Sequence, residues 1–118
     1  MIKETPAVLQ IGSGAFGWNH LRAWQELGMR ESYWLAELDS GSRARAVNEY
    51  GLGLERVTSD YREFLEQVDI VDIVTSTDSH FDLCRRALEA GKDVFVEKPM
   101  TMDASQARQL REIVDKRD

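Results

Sequence analysis

The chain has 118 residues, 42% of them hydrophobic and 31% charged, which is the length of one domain and the composition of a folded one. Fifteen Lys and Arg against 21 Asp and Glu leave a formal net charge of −6, which argues against nucleic acid or an anionic membrane as partner. Cys84 is the sole cysteine, so neither an intrachain disulfide nor a cysteine-based zinc site can form.

In chain order, Met1 to Pro6 lacks the apolar core of a signal peptide, and no apolar run approaches the roughly 18 residues that span a bilayer. A cytoplasmic location is the expectation. Ala7–Ile11 reads as a buried strand bounded by Pro6 and Gly12. From Trp18, the apolar positions Leu21, Trp24 and Leu27 step by three, which predicts an amphipathic helix closed at Gly28. Tyr33–Leu38 reads as a second strand ending in the turn-rich Asp39-Ser40-Gly41-Ser42, and Arg43–Tyr50 as a helix. A short third strand is expected at Arg56–Thr58, followed by a helix over Asp60–Gln67 capped by Ser59 or Asp60. Ile70–Thr75 is the segment densest in β-branched residues, as a central strand should be. Thr77, Asp78 and Ser79 then open a helix through Leu88 that stops at Gly91. Asp93–Glu97 reads as the last strand, Lys98-Pro99-Met100-Thr101 as a turn, and Asp103 as the cap of a helix reaching Val114. Regular alternation of strands and helices predicts an α/β, doubly wound parallel sheet of Rossmann type: about five strands, order 3-2-1-4-5, helices on both faces.

Gly12-Ser13-Gly14-Ala15-Phe16-Gly17 fits Gly-x-Gly-x-x-Gly between a strand and a helix. Gly12 permits the tight turn, Gly14 admits a pyrophosphate to the backbone, and Gly17 lets helix and strand pack closely, with the helix N-terminus facing the anion. Asp39 lies at about the 20-residue separation from the glycines at which a carboxylate accepts the ribose hydroxyls. It favours NAD, while Ser40, Ser42 and Arg43 offer an alternative welcome to the phosphate of NADP. A glycine-rich turn that binds nothing is the blander reading. An adenosine-containing methyl donor fits the same loop and acid.

Two further segments separate these readings. Thr75-Ser76-Thr77-Asp78-Ser79-His80, then Ala90-Gly91-Lys92 leading to Glu97-Lys98-Pro99, resembles the N-terminal half of the glucose-fructose oxidoreductase, inositol dehydrogenase and rhizopine-catabolism oxidoreductase family. The resemblance runs from Val8 to about Val114, and it departs at Ser76, where many members have proline. It implies an NAD- or NADP-binding domain of an oxidoreductase acting on sugars, polyols such as inositols, or sugar nucleotides by hydride transfer. It implies cofactor contacts from Gly12, Ser13, Gly14, Ala15, Phe16 and Gly17, from Asp39, Ser40 and Arg43, and from Thr75, Ser76, Thr77, His80, Glu97 and Lys98. Lys98 takes the catalytic role beside nicotinamide and substrate, with partial burial lowering its pKa. Residues 1–118 then form the dinucleotide-binding domain, with the family's C-terminal substrate domain absent. Turnover by the chain alone is not expected, and a non-catalytic cofactor-binding module serving a separate chain is the alternative.

The remaining chemistry-bearing residues read blandly. His20 and His80 fall early on helices, where packing or capping outweighs proton transfer, although His80 matches a family position beside the cofactor. Cys84 reads as a buried small hydrophobe, and Trp18, Trp24 and Trp34 as core or interface. Asp60, Glu63, Glu66, Asp69 and Asp72 read mostly as a solvated helix face and its loop, so no metal site is expected. The exposed last strand favours self-association into a homo-oligomer.

Overall fold

Five parallel strands, β1 (Val8–Ile11), β2 (Tyr33–Ala36), β3 (Val57–Thr58), β4 (Ile70–Ile73) and β5 (Asp93–Val96), align in the order β3-β2-β1-β4-β5 in a computed structural model that describes residues 5–14 and 16–117. In the central ladder Leu9 pairs with Trp34 on one side and Val71 on the other. All four residues of β1 are buried, which explains why the strand shows no polar alternation: both of its faces are covered.

The covering layers are α1 (Gly17–Glu26) and α2 (Ser40–Asn48) on one face, and α3 (Thr77–Glu89) and α4 (Ala104–Asp115) on the other. Leu21 and Ala46 close over Val8, Tyr33 and Leu35. Cys84, Ala87, Leu88 and Leu110 close over Leu9, Ile11, Val71 and Ile73. Burial pushes the Cys84 thiol up to about 11, so it packs as the expected small hydrophobe.

Three elements differ from the sequence reading. Over 60–67 the chain forms two 3-10 turns, Tyr61–Glu63 and Leu65–Gln67, instead of one α-helix. Tyr61 and Phe64 stand three apart, the period of a 3-10 turn, and both pack against the core. Strand β2 stops at Ala36 and α2 begins at Ser40, earlier than expected, because Asp39 caps the helix: its carboxylate accepts the Ser42 N–H at 2.8 Å. Successive strands are added on one side of β1 as far as β3 and on its other side from β4 onward, so the crevice outside the carboxyl ends of β1 and β4 is the topological switch point.

Candidate dinucleotide site

Gly12 leaves β1 with φ +91°, and a Cβ built on it would lie 2.7 Å from the Val74 carbonyl oxygen. A Cβ on Gly17 would lie 3.0 Å from the Gly12 carbonyl oxygen and 3.1 Å from Gln10 Nε2. These two glycines are therefore required by backbone shape and packing. Gly14 meets nothing within 4 Å and borders the cavity, so a side chain there would occupy ligand space. No side chain caps α1 at Phe16, and its N-terminal turn follows directly on the loop. Ala15 lies outside the described residues.

Beneath the loop, Gln10 Nε2 donates to the carbonyl oxygens of Gly12 and Gly17, both at 2.8 Å, while Tyr33 Oη donates to Gln10 Oε1 at 2.7 Å. Both side chains are fully buried, so this brace is dry. Nothing in a short apolar run singles out its one glutamine as the support of the loop.

The acid facing the loop is Glu37. Its Oε1 accepts from Ser13 N at 2.8 Å and Ser13 Oγ at 2.6 Å, and its Oε2 accepts from Asp39 N at 2.8 Å. Glu37 lines the cavity, whereas Asp39 is an exposed helix cap whose carboxyl is held below the usual range by the Ser42 N–H. Asp39 would take the place of Glu37 only in a strand two residues longer than β2, which ends at Ala36. Arg43, expected to face a phosphate, instead donates through Nη1 to the carbonyl oxygens of Glu37 and Leu38 at 2.8 and 2.9 Å. Ser40 is exposed in the first turn of α2, and neither residue lines the cavity.

The cavity measures about 880 Å³ and runs from Gly12 and Gly14 past Glu37 to Thr75, Ser76, Glu97 and Lys98, with Leu38, Ser59, Tyr61 and Ser79 in its walls. That size suits a large cofactor. Thr77 opens α3 without lining it. Lys98 is exposed at its mouth rather than partly buried, because the chain turns there after β5. The Lys98–Pro99 peptide is cis.

His80 is 1% exposed and joins two loops from behind the cavity: Nδ1 lies 2.9 Å from the Pro99 carbonyl oxygen and Nε2 2.9 Å from that of Thr75. Both partners are acceptors, and a neutral ring donates to only one of them. It steadies the Thr75 and Pro99 loops without lining the cavity. His20 does more than pack. Its Nδ1 lies 2.8 Å from Asp72 Oδ2, and its Nε2 lies 3.1 Å from Glu97 Oε1. Asp72 is fully buried on β4, not solvated as its acidic neighbours suggested, and also accepts from Trp24 Nε1 at 2.8 Å.

A family model described as an oxidoreductase family with an NAD-binding Rossmann fold matches residues 7–118. D-apiose dehydrogenase of Paraburkholderia graminis is 37% identical over 102 residues, covering 85% of this chain and 27% of that protein. Inositol 2-dehydrogenase of Rhizobium meliloti is 34% identical over 104 residues, covering 88% of this chain and 31% of that protein. Levoglucosan dehydrogenase in complex with NADH superposes with a TM-score of 0.79 at 26% identity, over 95% of this chain and 32% of that one. The chain thus spans less than a third of the length of both curated relatives.

Proposed function

The chain belongs to the glucose-fructose oxidoreductase, inositol dehydrogenase and rhizopine-catabolism oxidoreductase family, as an NAD-binding Rossmann domain, and on that premise we propose how its residues hold the dinucleotide and what reaction they serve. The Gly12–Gly17 loop and the first turn of α1 receive the pyrophosphate, since Gly14 leaves open space there and the helix N-terminus attracts an anion. Glu37 accepts the adenosine ribose hydroxyls, and Leu38, Ser59 and Tyr61 wall the adenine end. Thr75, Ser76, Ser79 and Glu97 border the nicotinamide end, with Lys98 at the mouth.

The carboxylate of Glu37 also disfavours NADP, because a 2′-phosphate would meet a like charge and Arg43 is already engaged with two carbonyl groups. The nicotinamide supplies a carbon that gives or takes a hydride. Lys98 donates a hydrogen bond from Nζ to the substrate oxygen that gains or loses a proton as the adjacent carbon changes oxidation state. The substrate is a sugar, a polyol such as an inositol, or a sugar nucleotide, in keeping with the sugar and inositol dehydrogenases among its relatives. The chain lacks a membrane-crossing helix among its described residues.

The observation that carries this reading is the unbroken cavity joining the glycine loop and Glu37 to Glu97 and Lys98. Calorimetric titration with NADH and NADPH tests it. Saturable binding with NADH tighter than NADPH is expected, and absence of binding by either would overturn it.

A further inference from the structure

His20 ties three elements together at one end of the cavity: its own helix α1, Asp72 in the middle of β4, and Glu97 just past the end of β5. Of the two carboxylates, Asp72 is wholly buried, and Glu97 is part of the cavity wall. The rings of Phe16 and Phe95 flank the imidazole edge-on at centroid distances of 6.5 and 5.8 Å, and Trp24 occupies the remaining hydrogen-bonding direction on Asp72 Oδ2. The charged groups facing His20 are therefore Asp72 from β4 and Glu97 from the segment after β5. Tyr33 of β2 lies within electrostatic reach of Asp72, and Lys98 follows Glu97 at the cavity mouth. With both ring nitrogens against carboxylate oxygens, the imidazolium form satisfies both contacts as a donor, whereas the neutral ring satisfies one.

We propose that His20 is a positioning residue for Glu97, and that its proton sets the preference of the site for oxidised over reduced nicotinamide. The inference rests on the assignment of the Glu97 end of the cavity to the nicotinamide. With His20 charged, Asp72, His20 and Glu97 together carry one negative charge; with His20 neutral they carry two. Oxidised nicotinamide is a cation and reduced nicotinamide is neutral, so losing the His20 proton strengthens the first without a like gain for the second. The reciprocal holds by linkage: bound NAD lowers the affinity of His20 for its proton more than bound NADH does. Burial lowers the His20 pKa, but the hydrogen bonds and charges of Asp72 and Glu97 outweigh it, leaving the pKa above the ordinary 6.5. The change therefore falls on the alkaline side of 6.5.

Titrating the 118-residue chain with NAD and with NADH between pH 6 and pH 9 tests this. The ratio of the NADH to the NAD dissociation constant should rise about fivefold across the His20 transition, as for one charge acting over a partly solvated site. In His20→Gln, checked for folding by circular dichroism, the ratio should be flat. Should that variant not fold, the wild-type His20 resonances followed by NMR give the same answer, with a larger fall in pKa on adding NAD than on adding NADH. Equal falls, or a ratio that changes identically with pH in wild type and variant, would refute the role of His20. Failure of either dinucleotide to bind would instead refute the site itself.

Discussion

Two carboxylates two positions apart illustrate how finely a residue's role depends on where its strand stops. Glu37 follows the last residue of β2 and turns into the cavity, while Asp39 sits one step before α2 and turns back to cap it. Glu37→Ala should weaken NADH binding about tenfold or more, since charge-assisted hydrogen bonds to the ribose are lost, and should narrow the margin over NADPH. Asp39→Ala should leave both affinities unchanged and lower the melting temperature, because it removes a cap and nothing in the cavity. Calorimetry and a thermal melt on the two variants separate the roles. Gly14→Val makes a companion test: its side chain has room in the empty fold, so circular dichroism should stay native while dinucleotide binding disappears. Retained affinity in that variant would place the pyrophosphate elsewhere.

At the scale of elements, the helices are held unequally. Helix α3 buries His80, Cys84, Ala87 and Leu88, and its outer face is laced by Arg85 and Arg86 to Asp82 and by Arg85 to Glu89. Helix α4 buries only Leu110 among its described residues, although Ile113 also packs at the core's margin. Leu110→Ala should cost about 2 to 5 kcal/mol, read as a lower urea midpoint. The loss should appear first in α4, as faster amide exchange there than in β1 or β4. A uniform loss of protection across the sheet would mean that α4 is as firmly held as the centre.

Over the whole molecule, pH acts through groups whose pKa changes on folding. His20 is raised above its unfolded 6.5, so its contribution is fully present below about pH 6.5 and is lost as pH rises through the folded value. Burial likewise raises Asp72, against the opposing donors Trp24 and His20, so it too favours the fold on the acid side. Asp39, Asp60 and Asp82 are lowered by hydrogen bonds to Ser42, to Arg62, and to Arg85 and Arg86 respectively, so their contributions hold above about pH 4 and fade below it. Urea midpoints should therefore decline between pH 6.5 and 9 in the wild type, and His20→Gln should remove most of that slope. Catalysis belongs to this scale as well. The 118 residues are expected to bind NADH yet turn over myo-inositol, glucose or nucleotide sugars at most very slowly, because Lys98 stands exposed at the cavity mouth, where water competes for its ammonium and a substrate oxygen is not held against it. Positioning of reactants is worth about 7 to 11 kcal/mol of the barrier. Following reduced-cofactor absorbance tests this, and robust turnover lost in Lys98→Ala would contradict it.

The local signals of the chain determined the order of its elements, the parallel sheet, the glycine loop and the neighbourhood of Glu97 and Lys98, since breakers, β-branched runs and glycine spacing act over a few residues. The family resemblance likewise rests on short contiguous motifs. What the sequence could not determine is which side chains meet across the sheet. The length of β2 depends on the competition between one more ladder pair and the Asp39 cap, and only the packed chain shows that the cap prevails and Glu37 faces the loop. His20, Asp72 and Glu97 come from three separated segments, and Tyr33 reaches the Gln10 brace from a different strand. Charges and amides of this kind carry no periodicity, and their pairing becomes visible only when burial removes water as the competing partner.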